Sequence, residues 1–233
     1  MSETGVRTPL NTPVDAVLFD IDDTICEYER STGELLAIAF ERAGVEPFFE
    51  TREYVARYST FLDESENVSD LRERCFVDIA RERGRNPDLA REVARAFTAE
   101  RDHTRVRWLD GAREVLDRFE SEYRLAAVTN GSPEMQAQKL ETLGVDCFET
   151  VVYAGYDTRA KPDPEPFEVA LEAVGTDSDR AVYVGNSLAS DVRGAHNAGL
   201  RAAWIASGDR TDPLPPPEYV LDTPGGLLEL SWV

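Results

Sequence analysis

Four short stretches of this 233-residue chain carry side chains able to do chemistry. The apolar run VDAVLFD (14–20) stops abruptly at Asp20, with Asp22 and Thr24 close behind. RLAAVTN (124–130) ends in Thr129-Asn130, and RAVYVGN (180–186) ends in Gly185-Asn186, with Asp191 further along the same loop. AKPDPEPF (160–167) supplies Lys161; Lys139 is the only other lysine. A carboxylate can attack an electrophile, move a proton or hold a hard cation, and an ammonium can neutralise an anion beside it. Each feature also has an ordinary reading, since a carboxylate after a strand often forms a turn or caps a helix. Together and in this order, they are hard to explain that way.

The elements that must position them alternate. Besides the three apolar runs, weaker strand patterns lie at 150–154, 201–206 and 218–221. Runs apolar on both faces suit strands of a buried parallel sheet. Helical patterns fall between them at 111–121, 133–143, 164–174 and 188–198, two of them opening at Ser132-Pro133 and Asp163-Pro164, a polar residue before Pro being a helix-start signal. This alternation predicts an α/β fold with a doubly wound parallel sheet, in which ligands bind beyond the carboxyl ends of the strands. The strand ends bearing Asp20, Thr129 and Asn186 would then meet in one crevice. From 27 to 107 no strand is convincing, and helical patterns cover 31–44, 51–64, 69–84 and 87–104, the last with Leu89, Val93 and Phe97 on one face. We expect an all-helical insert at 27–107 within a core made of 1–26 and 108–233.

Composition narrows the partners. Lys plus Arg total 25 against 45 Asp plus Glu, a net charge of −20, which disfavours nucleic acid and anionic membranes as partners. So acidic and lysine-poor a chain has the look of a protein from a salt-loving organism, where ions screen self-repulsion. No apolar run reaches the ~18–20 residues that span a bilayer, and the stretch MSETGVRTPLNTP lacks the pattern of a signal peptide, so a cytoplasmic protein is expected. Cys26, Cys75 and Cys147 are odd in number and far apart, which points to reduced cysteines without a disulfide framework or zinc. Nothing in the sequence fixes the oligomeric state.

Over essentially its full length the chain resembles the haloacid dehalogenase-like (HAD) hydrolase superfamily. VLFDIDDT matches the first motif at Asp20, Asp22 and Thr24; Thr129 matches the second; Lys161 in KPDPEPF matches the third; VGNSLASD matches the fourth at Asn186 and Asp191. The helical insert resembles the cap domain of one large subgroup. The resemblance implies a Mg²⁺-dependent phosphatase acting on a small phosphorylated metabolite. Asp20 would attack phosphorus, Asp22 would serve as general acid and base, kept protonated at first by the nearby carboxylates, and Lys161 would neutralise charge. Thr129 and the backbone amide of Asn130 would bind phosphoryl oxygens. Mg²⁺ would take the Asp20 carboxylate, the Asp22 carbonyl, the Asn186 side chain and Asp191, directly or through water. Asn186 departs from the pattern, which has an acid there, and implies weaker metal binding. Substrate contacts from the cap would come from Arg52, Tyr54, Arg57, Tyr58 and Tyr28, whereas His103 and His196 read as structural.

Two other readings compete. A 2-haloacid dehalogenase of the same superfamily also attacks through an aspartate, but on carbon, and needs neither Mg²⁺ nor an acid two residues later; Asp22 argues against it and Asn186 slightly for it. A receiver-type phosphoacceptor switch shares the acidic cluster, Thr and Lys, but is shorter and has no helical insert.

Overall fold

Ala16–Phe19 (β1) is buried on both faces, because Val17 and Phe19 enter one core and Ala16 and Leu18 the other. The computed structural model describes residues 12–61, 65, 68–206 and 215–232. β1 pairs in parallel with Arg124–Thr129 (β4) on one side and Ala181–Gly185 (β6) on the other. Thr150–Tyr153 (β5) extends the sheet beyond β4, and Arg201–Ile205 (β7) with Tyr219–Leu221 (β8) beyond β6, giving the order β5-β4-β1-β6-β7-β8. All five pairings are parallel, and the strand order reverses at β1, so the crevice at its carboxyl end is the switch point of the sheet.

Helices cover both faces. Ala112–Phe119 (α5) and Pro133–Leu143 (α6) contribute to the core containing Phe19, while Glu165–Val174 (α7) and Arg193–Asn197 (α8) cover the side of Leu18. α6 starts where Ser132 accepts a hydrogen bond from the Met135 amide with Pro133 in the first turn, and stops at left-handed Gly144. The pattern expected over 188–198 divides, with Leu188–Val192 forming a π-helical turn before α8.

The chain divides into two compact units, one running to Glu27 and resuming at Val106, the other comprising Tyr28–Arg105. The second contains Thr32–Ala43 (α1), Thr51–Phe61 (α2), Val68–Glu82 (α3) and Pro87–Glu100 (α4) around Phe40, Phe48, Phe49, Phe76 and Phe97. Ser31 and Glu34 form a reciprocal capping box at the start of α1, worth about 1 kcal/mol. Two details differ from expectation. Cys26–Tyr28 (β2) and Val106–Trp108 (β3) form a two-stranded sheet flanking the insert; three residues each are too few for alternation to show. Leu89 is exposed, and α4 turns inward Ala90, Val93, Ala94 and Phe97 instead. Residues 62–64 of the helix expected at 51–64, the first eleven residues and residues 207–214 lie outside the described residues. Among the described residues no helix is long and apolar enough to cross a membrane.

Candidate active site

The backbone amide of Asp20 donates to Val184 O (2.8 Å), which carries the β1–β6 register one step past the end of β1. The chain then folds back on itself: the amides of Ile25 and Cys26 both donate to Ile21 O, and Asp23 takes a left-handed φ of 53°, which Asp tolerates better than most residues. This turn sets Asp20 and Asp22 at the carboxyl end of the central strand, with Thr24 buried behind them.

Lys161 is buried beside Asp20. Its Nζ lies within hydrogen-bond distance of Asp191 Oδ1 (2.7 Å), the Tyr183 hydroxyl (2.8 Å), Asp20 Oδ1 (2.9 Å) and Val128 O (2.9 Å). Burial alone would pull the ammonium down, but Asp191 and Asp20 overrule it and hold Lys161 above the usual lysine value. Burial pushes the Asp20 carboxyl up to about 7 against the pull of Lys161, and Asp191 adds to the rise. Tyr183 is kept neutral by burial and by the same two carboxylates, and its hydroxyl donates to Val128 O (2.8 Å). Lys161 holds one Asp20 oxygen; the other accepts no hydrogen bond among the described residues.

The second strand end is tied to the first. Thr129 Oγ1 accepts from the Gly131 amide (3.0 Å) and from Gln136 Nε2 (2.8 Å), so its own proton is left to donate elsewhere. Gln136 Nε2 also donates to Asp22 Oδ2 (2.7 Å), and Lys139 Nζ to Asp22 Oδ1 (2.5 Å). The immediate partners of Asp22 are therefore an ammonium and an amide, with the Asp20 carboxylate near enough to interact with it. Asn130 acts through its side chain, which clamps the Lys161 backbone, accepting from Lys161 N (2.9 Å) and donating to Lys161 O (3.2 Å).

Asp191 is almost fully buried, with Oδ1 on Lys161 and Oδ2 accepting from the Ser187 amide (2.8 Å). Both oxygens are engaged, which makes Asp191 the buried partner of Lys161. Gly185 makes room for it, because a Cβ there would lie 2.6 Å from Asp191 Cγ. Asn186 is half-buried, and its carbonyl accepts from Trp204 Nε1 (2.9 Å). Among the described residues no three His, Cys, Asp or Glu side chains are grouped to hold a metal. The oxygens that the resemblance assigns to a cation are those of the Asp20 carboxylate, the Asp22 carbonyl and the Asn186 side chain. They are hard oxygens carrying one charge, a set that fits a Mg²⁺ ion keeping several waters.

The expected residues of the helical unit fare differently. Tyr54 is buried, edge-on to Phe76 and Phe97, so it is a core residue and not a substrate contact. Tyr58 packs against Tyr54, and Arg57 is held by Asp78 (2.9 Å) and Glu82. Arg52 is exposed and paired with Glu50 (3.0 Å). Tyr28 donates to or accepts from His103 Nδ1 (2.7 Å) beneath the Arg101 guanidinium, and His196 pairs with Glu218 (3.1 Å). All three cysteines are free thiols; burial, with help from Asp22, pushes Cys26 up to about 12, so it offers no thiolate. Gln136, Lys139 and Tyr183 are the side chains at the site that strand-end patterns do not reveal.

A parallel sheet whose switch point carries paired carboxylates, each on its own lysine, defines a class of hydrolase. The family model of haloacid dehalogenase-like hydrolases matches residues 14–199. The phosphoserine phosphatase of Thermus thermophilus is 32% identical over 84% of this chain and 90% of its own length. The glyceraldehyde 3-phosphate phosphatase of Methanopyrus kandleri is 31% identical over 93% and 97%. Among solved structures, the magnesium-bound HAD-hydrolase YfnB of Bacillus subtilis superposes with a TM-score of 0.72 at 23% identity, over 93% of this chain and 98% of that one. A 2-haloacid dehalogenase of Pseudomonas syringae shares the fold as well. The chain belongs to the haloacid dehalogenase-like hydrolase family.

Proposed function

We propose that the protein is a phosphatase that hydrolyses a small phosphate monoester through an aspartyl-phosphate on Asp20. The observation that carries this reading is the arrangement of the two carboxylates: Asp20 keeps one oxygen without a partner among the described residues, beside the Lys161 ammonium, and Asp22 stands two residues away with its own donors. That full-length relatives are phosphatases supports it.

In the first step the unpartnered Asp20 oxygen attacks phosphorus. The bond from phosphorus to the ester oxygen breaks, and the leaving alkoxide takes a proton from Asp22. Lys161 offsets the negative charge gathered around Asp20, and the Thr129 hydroxyl donates its remaining proton to a phosphoryl oxygen. In the second step water attacks the same phosphorus and gives a proton back to Asp22. The Asp20–phosphorus bond breaks, and inorganic phosphate leaves with Asp20 restored. Asp20, the Asp22 carbonyl and Asn186 are the groups that would hold Mg²⁺, which when bound supplies the positive charge that two meeting anions require. YfnB, whose fold this chain shares, is reported bound to magnesium. Attack on a haloacid carbon would expel halide, which needs no proton, and would leave Asp22 and its two donors without a task.

A panel of phosphate monoesters at high salt, with and without Mg²⁺ and with Asp20→Asn as the blank, tests the reading. Phosphate release with multiple turnovers by the wild-type chain alone is expected. Equal release by the blank refutes the mechanism, and a single stable phosphoryl group per chain points to a phosphoacceptor switch instead.

A further inference from the structure

Two of the 25 basic residues are lysine, both are buried, and each is hydrogen-bonded to one aspartate of the Asp20-Ile-Asp22 element. Lys161 has a role in the proposed reaction; Lys139 has none. Lys139 lies on α6 three residues after Gln136, a spacing that puts both on one helix face. Both side chains are fully buried, and both end on Asp22, whose own side chain is 37% exposed. α6 starts four residues after Thr129, so the helix that begins beside the Thr129 hydroxyl also carries both donors to Asp22.

Burying an ammonium completely is unfavourable unless a partner recovers the loss. An apolar side chain would suit the interior of α6 better, and Asp22 could stay hydrated without Lys139. A structural ion pair has little reason to be here. What the pair does supply is direction. A half-exposed aspartate turns about two side-chain bonds, but with one donor fixed on each oxygen it has a single setting. Each carboxyl oxygen can accept more than one bond, so a site for the transferred proton remains.

We infer that Lys139, assisted by Gln136, is a positioning residue that aims the Asp22 carboxyl at the leaving oxygen, and that the site is built for unactivated alkyl phosphate esters. The inference rests on the phosphatase reading. An alkyl ester departs as a strongly basic alkoxide and needs its proton as the P–O bond breaks, whereas a nitrophenolate departs without one.

The test compares kcat/KM for glycerol 3-phosphate and p-nitrophenyl phosphate, because kcat/KM reports the first phosphoryl transfer and not the shared second step. Lys139→Met keeps the length of the side chain and removes a buried charge. It should lower kcat/KM for the alkyl ester about 10–100-fold more than for the aryl ester, within the range that general acid catalysis supplies. Asp22→Asn should show the same asymmetry, and adding Lys139→Met to it should change little further. Lys139→Gln, which keeps a donor, should recover part of the alkyl activity and stands in if the Met variant does not fold. Equal losses on both esters would mean that Lys139 only braces the fold, which overturns the inference and leaves the phosphatase reading intact. Wild-type activity on the aryl ester alone overturns the inference in the same way. Activity on neither ester overturns both.

Discussion

Asp20 carries its charge against the preference of its surroundings. Burial raises its carboxyl from 3.8 to about 7 in the fold. Between those values the native chain holds a proton that the unfolded chain has lost, so stability falls as pH rises through the window, and the full loss stands above it. Asp20→Asn removes this term while Lys161 keeps Asp191, Tyr183 and Val128 as partners. The variant should be inactive yet melt several degrees higher than wild type at about pH 8, with a gap that closes toward about pH 4. A gap independent of pH would mean that the nucleophile is not strained by its charge. At Asn186 the missing acid makes the opposite case. Asn186→Asp adds a negative charge among the oxygen donors and should tighten the Mg²⁺ dependence of activity; an unchanged metal titration would remove Asn186 from the ligand set. Asp20, Thr129 and Lys161 are legible from the sequence because each ends a strand or shortly precedes a helix, where the α/β fold collects its ligands. Lys139 and Gln136 are not, since an i, i+3 polar pair in a helix reads as solvated surface. Rarity of lysine was the one available signal.

Elements hold these residues through close contacts that a single methyl group would upset. At Gly194, where α8 begins, a Cβ would lie 2.6 Å from the Phe167 ring of α7 and 3.2 Å from Pro162 Cα, next to Lys161. Gly194→Ala must push α8 away from α7 or shift the segment carrying Lys161. We expect a loss of about 1–3 kcal/mol in urea unfolding, typical of overpacking, together with a fall in kcat larger than any change in KM. Unaltered stability would show that the helix yields without strain. The strands and helices of the sheet unit were readable because apolar runs of four to six residues and Ser-Pro or Asp-Pro helix starts are local signals. β2 and β3 were not, being set by their pairing with each other, and neither was the π-helical turn at Leu188–Val192, whose first residues are capped by Ser187. The burial of Tyr54 likewise depends on partners from α3 and α4 that its own helix pattern does not name.

At the scale of the whole molecule, the charge of −20 is an energetic property in its own right. Surface arginines are matched locally, as in Arg57 with Asp78 and Glu82 or Arg124 with Glu149, yet 45 acidic residues cannot be paired by 25 basic ones. Two salt effects therefore oppose each other. Added salt weakens the exposed pairs, each worth about 0–1 kcal/mol, and it also screens the repulsion among the surplus carboxylates. The screening length falls from about 10 Å at 0.1 M to about 3 Å at 1 M, so repulsion summed over the whole surface is removed while pairs in direct contact lose less. The melting temperature should thus rise steadily in KCl between about 0.1 and 2 M, with activity retained at the upper end. Sucrose at matched osmolality controls for simple exclusion from the surface. A larger rise in KCl than in sucrose would identify screening as the cause, and with it the reading of the acidic, lysine-poor composition as adaptation to salt. A flat or falling curve in KCl would show that the local pairs outweigh the surplus charge.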